Sequence, residues 1–299
     1  VGGKFLISHT SGRRWKYIRE VRECIFGRVF HAVEMVHEGG VVQHGQEVAV
    51  KVRSSKAKIR ERRHAEDPVV EIATLQYLSS NGSHPNVLQV VEVVEDAATI
   101  FLITPFCKGG ELFDIICSCG RLEEAEARMY FLQLMHGLAH LDSLGICHRR
   151  DLSLENVLLL DEDQSQAVIM DFGMALRMPG GGGVRCAPQG AVGKPNYRTP
   201  EIYRNRPFHS GPVDIWACGV SLLIMLTGED PPLHPPVTGI VHNVSGTVEQ
   251  RLDSFLLRAG AHLSRSAIDL LRSMLRESPS QRLTLAEIGN HPWMLAVAD

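Results

Sequence analysis

The 299-residue chain lacks an excess of either charge, with 31 Lys and Arg set against 34 Asp and Glu and a net charge of -3. That balance excludes the broad basic field of a nucleic-acid binder and the acidic tail of a disordered segment, so no nucleic-acid partner is expected. It also lacks an unbroken apolar run near the ~18 residues that a membrane span needs. The stretch 220–226 is interrupted by Ser221, and no membrane span is expected. Seven cysteines, odd in number and scattered, do not make a disulfide framework and suit a reducing compartment, cytoplasmic or nuclear. Cys117 and Cys119 lie too close together for a zinc pair, and no second Cys/His pair stands at ligand spacing. There is no internal repeat. The one low-complexity stretch, 179–183, carries four consecutive glycines and is expected to be a mobile loop. Because the chain opens on Val1 rather than Met, a fragment of a longer protein is expected. What is present is a globular composition, 44% hydrophobic and 22% charged, at a length that suits two modest domains or one enzyme of two lobes.

The pattern divides the chain into unlike halves. Segments 15–21, 29–36, 48–52, 87–95 and 99–104 are rich in β-branched and aromatic residues and read as strands. One helix interrupts them, with Asp67 as N-cap, Pro68 at the first helical position, and Val70, Ala73, Thr74 and Tyr77 as its stripe. From about residue 109 helices dominate, at 125–144, 213–226 and 267–276, the second apolar on almost every side and therefore expected to be buried. His136 and His140 stand four apart on the first of these, where packing is favoured over a metal pair because no third ligand is in view.

Four short motifs recur in a fixed order: Val48-Ala49-Val50-Lys51, Glu71 on the single early helix, Asp151-Leu152-Ser153-Leu154-Glu155-Asn156, and Asp171-Phe172-Gly173, at spacings of 20, 80 and 20 residues. Singly, Lys51 is a strand lysine and Asp171-Phe172-Gly173 a turn. In this order, with Thr199-Pro200-Glu201, Asp214-x-Trp216-x-x-Gly219 and Arg282 ahead of His291-Pro292-Trp293, the set resembles the protein kinase signature over residues 17–293. Gly109-Gly110-Glu111-Leu112-Phe113-Asp114 and Asp269-Leu270-Leu271 draw the resemblance toward the calcium/calmodulin-dependent kinase-like group of serine/threonine kinases. It implies an α+β, bilobal fold forming one kinase domain, with a mostly-β N-lobe at 15–104, a hinge at 105–108 and a mostly-α C-lobe at 109–299.

The resemblance also implies roles. Phosphoryl transfer spreads negative charge over oxygens, so the site has to position cations. Lys51 would hold the α- and β-phosphates of ATP and Glu71 would orient its ammonium, while Asn156 and Asp171 would ligate two Mg²⁺ ions. Asp151 would accept the proton of the substrate hydroxyl. Gly27 and Val29 would lie over the nucleotide, Ala49 and Leu158 would sandwich the adenine, and Thr104 would guard the pocket ahead of the hinge residues Phe106 and Cys107. Leu75, Val90, Phe172 and a catalytic-loop residue would form a packed column anchored by Asp214, and Glu201 would pair with Arg282.

Four departures bear on activity. The glycine-rich loop keeps only Gly27, with Arg22 and Cys24 where glycines are expected. His148-Arg149-Arg150-Asp151 carries one residue more than His-Arg-Asp, so either His148 or Arg149 takes the histidine's packing position. Ser153 replaces the lysine that serine/threonine kinases bring to the γ-phosphate, while Lys194 in Gly193-Lys194-Pro195 could return a cation from the opposite wall. No Ser or Thr lies between Gly173 and Arg198, and Tyr197 is the only Tyr there, so loop phosphorylation is not expected to control the enzyme. The expected function is transfer of the γ-phosphate of ATP to Ser or Thr of protein substrates with basic residues upstream. The alternative is a pseudokinase scaffold with weak or no phosphotransfer. The regulatory partner is unknown.

Overall fold

Strand-forming residues dominate the first hundred positions, and in the computed structural model they build one antiparallel sheet. Residues 4–38, 41–54, 67–148, 152–178, 185–187, 193–233, 246–260 and 262–296 are described. The glycine run at 179–183 and Arg149, Arg150 and Asp151 lie outside them. The strands are β1 (Phe5–Ile7), β2 (Arg14–Cys24), β3 (Gly27–Glu38), β4 (Val41–Ser54), β5 (Glu92–Glu95) and β6 (Thr99–Pro105), in the spatial order β1-β2-β3-β4-β6-β5. The sheet thus begins at Phe5, ahead of residue 15. Trp15, Ala32, Val48, Val50 and Ile103 are fully buried on its inner face, as period-two alternation requires.

Only 92–95 of the expected strand 87–95 joins the sheet. Val87 instead bridges Ile169, and the Leu88 N–H donates to the Ile169 carbonyl at 2.9 Å, so this stretch belongs to the junction with the second lobe. Helix α1 (Pro68–Asn81) starts as expected, with Asp67 Oδ1 accepting from the Val69 N–H at 2.8 Å. Its buried face is Pro68, Glu71, Ile72, Thr74, Leu75 and Leu78, which shares only Thr74 with the expected stripe. The helix is apolar on several sides, so periodicity did not select a face. The carboxylate of Glu71, drawn inward by cations on β4, does.

After the short strand β7 (Gly110–Glu111) come α2 (Leu112–Cys119), α3 (Glu124–Ser143), α4 (Pro200–Tyr203), α5 (Ser210–Thr227), α6 (Val248–Ala259), α7 (Arg265–Met274), α8 (Leu285–Gly289) and α9 (Pro292–Leu295). Short strands β8 (Ile146–Cys147), β9 (Val157–Leu159), β10 (Ala167–Ile169) and β11 (Leu176–Arg177) carry the loops between α3 and α4, with β10-β9-β7 forming one small sheet and β11-β8 another. Strand β12 (Arg185–Cys186) pairs with β13 (Phe208–His209).

Helix α5 is the axis of this lobe. By length and composition alone it is long and apolar enough to cross a membrane, as a buried core helix also is, and 83% of it is buried inside the fold. It ends at Gly228 in the left-handed region (φ 73°), where an added Cβ would lie 1.7 Å from the Gly120 carbonyl oxygen, so only glycine lets the ends of α2 and α5 meet. Helices α2 and α6 were not foreseen. The first is only eight residues long, with Leu112 and Ile116 as its two buried residues, whereas the second did carry a readable signal, a Thr247/Gln250 capping box.

Glu201 and Arg282 form the expected buried pair, bidentate at 2.8 and 2.7 Å. Arg282 also donates to the carbonyls of Pro212 at 2.8 Å and Arg276 at 2.9 Å and lies over Trp216, 4.9 Å from the ring centroid. Arg282→Met leaves the Glu201 charge buried without its partner, a cost of about 3–5 kcal/mol. Calorimetry is expected to show Tm falling by roughly 10 °C, with Glu201→Leu added to Arg282→Met restoring most of it. An unchanged Tm in the single variant would contradict this.

Candidate active site

The cleft between the lobes is built by strand parity. On β4, Val48 and Val50 point into the core, so Ala49, Lys51 and Arg53 point the other way, toward α1 and the cleft. Register sets Val29 opposite Lys51 and Ala49 opposite Thr104. Ala49 and, on the other lobe, Leu158 are half-buried between buried neighbours, and Val29 is half-buried on β3, which leaves apolar surface to face the cleft. Thr104 is buried at 8% exposure. The hinge follows: the Phe106 N–H donates to the Glu47 carbonyl at 3.1 Å, and its ring stacks on His31 with centroids 3.9 Å apart. Burial, with Asp161 adding to it, pushes the Cys107 thiol up to about 12, so Cys107 is a neutral, apolar wall.

At the phosphate end, Lys51 Nζ donates to Glu71 Oε1 at 2.9 Å and Oε2 at 3.2 Å. The sequence did not reveal that Arg53 also donates to the Glu71 carboxylate, from a buried position on the same strand face. Two residues along a strand share a face, and that was the available signal. The β2–β3 hairpin closes over these groups, so that Arg22, Gly27, Lys51, Arg53 and Asp171 line one cavity of 440 Å³. Gly27 (φ 154°) cannot be replaced there, because an added Cβ would fall 1.8 Å from the Val52 carbonyl oxygen. Arg22 itself pairs across the cleft with Glu111, a second contact the sequence did not reveal.

Asp171 sits in the left-handed region (φ 62°), unusual for a non-glycine residue and a mark of backbone held by its surroundings. Burial alone would raise its pKa, but Lys51 first, then the Gly173 N–H, His148 and Arg53, outweigh that and hold the carboxyl below the usual aspartate value. The next turn is tied to α1, since the Asp67 N–H donates to the Gly173 carbonyl at 2.9 Å, which fixes the helix carrying Glu71. Asn156 is brought alongside by the Met170 N–H, which donates to its carbonyl at 2.9 Å. Among the described residues no three His, Cys, Asp or Glu side chains form a metal cage. An ionised Asp171 and the amide oxygen of Asn156 fit Mg²⁺ instead, which keeps several waters and takes few protein oxygens.

Of the two candidates for the histidine position, His148 is the residue that fills it. It is fully buried and meets Phe172 edge-on with centroids 5.3 Å apart, and Leu75 and Phe172 share that core with Val90 packed against it. Asp214 on α5 anchors the segment from below, accepting from the His148 N–H and the Cys147 thiol, each at 3.2 Å. Asp151, the expected base, and the inserted arginine lie outside the described residues. Lys194 reaches Ser153, with Nζ 2.7 Å from Oγ, and pairs with Glu155 at 3.1 Å. Tyr197 is buried at 4% exposure with its hydroxyl accepting from the Leu154 N–H, and burial raises its pKa. His140 stacks on His84 at 4.9 Å and hydrogen-bonds the Gly82 carbonyl, a packing role.

The family model described as protein kinase domain matches residues 18–294. Similar proteins include the probable serine/threonine-protein kinase HSL1 of Saccharomyces cerevisiae, 38% identical over 70% of this chain and 13% of that protein. The abscisic acid-inducible protein kinase of Triticum aestivum is 34% identical over 80% of this chain and 69% of its own. Serine/threonine-protein kinase SAPK9 of Oryza sativa subsp. japonica is 33% identical over 71% of this chain and 57% of its own. The chain therefore spans between 13% and 69% of the length of these relatives. With the family model covering both sides of the cleft, the chain belongs to the protein kinase family.

Proposed function

We propose that the chain transfers the γ-phosphate of ATP to Ser or Thr of protein substrates. The observation that carries this reading is the Lys51–Glu71 pair set beside an ionised Asp171 in one cavity. Glu71 fixes the direction of the Lys51 ammonium toward the α- and β-phosphates, while Val29, Ala49 and Leu158 give the adenine apolar walls beside Thr104, Phe106 and Cys107. Mg²⁺, two ions by family analogy, supplies positive charge to the phosphates when bound at Asp171 and Asn156. Asp151 orients the substrate hydroxyl and takes its proton. Substrates carry Arg two or three residues ahead of the acceptor, read by Glu111 and Glu155, because a guanidinium meets a carboxylate with matched geometry. The lobes are assigned as 15–104, with β1 (Phe5–Ile7) added at the sheet's edge, and 109–299 about a hinge at 105–108. The odd, dispersed cysteines support a cytoplasmic or nuclear setting.

Incubation with labelled ATP and Mg²⁺ is expected to yield phosphorylated protein substrate that disappears in Asp151→Ala. Equal label in both would favour the scaffold reading.

Lys194 is proposed to supply the γ-phosphate cation that Ser153 lacks. Its ammonium 2.7 Å from Ser153 Oγ supports this, since it then occupies the region of the missing lysine. Lys194→Ala should lower kcat by ~100-fold, the scale of one lost transition-state contact, with a smaller change in the KM for ATP. Lys194→Thr combined with Ser153→Lys should restore the rate. Steady-state kinetics decides it, and an unchanged kcat in Lys194→Ala would refute the assignment.

A further inference from the structure

We propose that Arg22 sets the strength of the substrate preference by occupying Glu111 itself, so that a substrate arginine must displace the chain's own guanidinium before it is read. The proposal rests on the basic-preference reading above. Arg22 lies in β2 just ahead of the hairpin that closes the cleft, and Glu111 ends β7 on the other lobe, so their ion pair spans the gap between them. The hydrogen bond that Arg22 donates to Glu111 is the chief reason the Arg22 pKa is raised, against an opposing effect of burial, and Asp114 adds negative charge nearby. The second carboxylate assigned to the substrate is treated in the same way, for Lys194 pairs with Glu155 at 3.1 Å. Both acidic readers are thus filled from within the chain.

The alternative is an ordinary surface ion pair with no bearing on substrates. Its exposure, 45% for the Arg22 side chain and 21% for Glu111, makes the contact weak. That weakness is what competition requires, because a tightly buried pair would not yield to an incoming arginine. A substrate guanidinium gains at Glu111 only the difference between its own contact and the one it breaks. A ligand's apparent affinity for a partly occupied site is scaled by the fraction left free, so an exposed pair is expected to reduce the arginine preference by about 2- to 5-fold.

The test is peptide binding in the absence of nucleotide, read by fluorescence anisotropy. Two peptides with Ala at the acceptor position differ only in Arg or Ala three residues upstream. The ratio of their Kd values is compared in wild type, Arg22→Ala, Arg22→Gln, Glu111→Gln and the double variant Arg22→Ala with Glu111→Gln. Both Arg22 variants should raise the preference for the Arg peptide by about 2- to 5-fold, and in either Glu111→Gln background the ratio should fall to one and the same lower value whatever stands at 22. If Glu111→Gln lowers the ratio but neither Arg22 variant raises it, Arg22 does not compete and the proposal fails while the basic preference stands. If the ratio is one in every protein, or no peptide binds even with Arg22 removed, both the proposal and the basic preference fall.

Discussion

One carboxylate holds the nucleotide cleft together. Glu71 is buried on α1 and receives hydrogen bonds from both Lys51 and Arg53, two cations spaced along one face of β4. A carboxylate taken out of water is tolerated only when charge and hydrogen bonds replace its hydration. Those cations therefore position α1 against the sheet. The same Lys51 and Arg53 favour the ionised form of Asp171, so two positive and two negative side chains share one buried neighbourhood. The helix is held at its N-terminal end by the Asp67–Gly173 backbone bond, which couples the placement of Glu71 to the turn bearing Asp171.

The C-lobe supplies a rigid floor. Helix α5 brings Asp214 beneath Cys147 and His148, and it carries Trp216, on which Arg282 stacks while pairing with Glu201. These buried polar contacts fix the position of the segment leading into the catalytic loop. The missing glycines alter the roof instead. Arg22 and Cys24 are accommodated as strand residues, and the turn is made by the pair that follows them, so only Gly27 has to approach β4 closely enough to forbid a side chain.

Much of this was legible beforehand, and the exceptions have physical causes. Lys51, Glu71, Asp171, Asp214 and Arg282 were readable because their chemistry fixes residue type and order along the chain. The partner of Glu201 was found for the same reason. The buried face of α1 was misjudged because the face is chosen by Glu71 and not by apolar period. Strand 87–95 was overextended because Val87 and Leu88 pair with β10, a long-range choice that β-propensity does not encode. The contacts of Arg53 and Arg22 went unread because a charged residue implies solvent until its partner is known. Lys194 was set near Ser153 from the exchange of residue types read through the kinase resemblance, and its ammonium is 2.7 Å from the Ser153 hydroxyl.

The claim that two cations jointly hold one buried carboxylate is tested most directly by equilibrium unfolding of Lys51→Met, Arg53→Met and the double variant. Each single variant leaves Glu71 one partner and should lose about 1 kcal/mol. The double variant leaves the carboxylate uncompensated and should lose about 3–5 kcal/mol, clearly more than the two singles together. Losses that simply add would show that Lys51 and Arg53 act independently and would contradict the account.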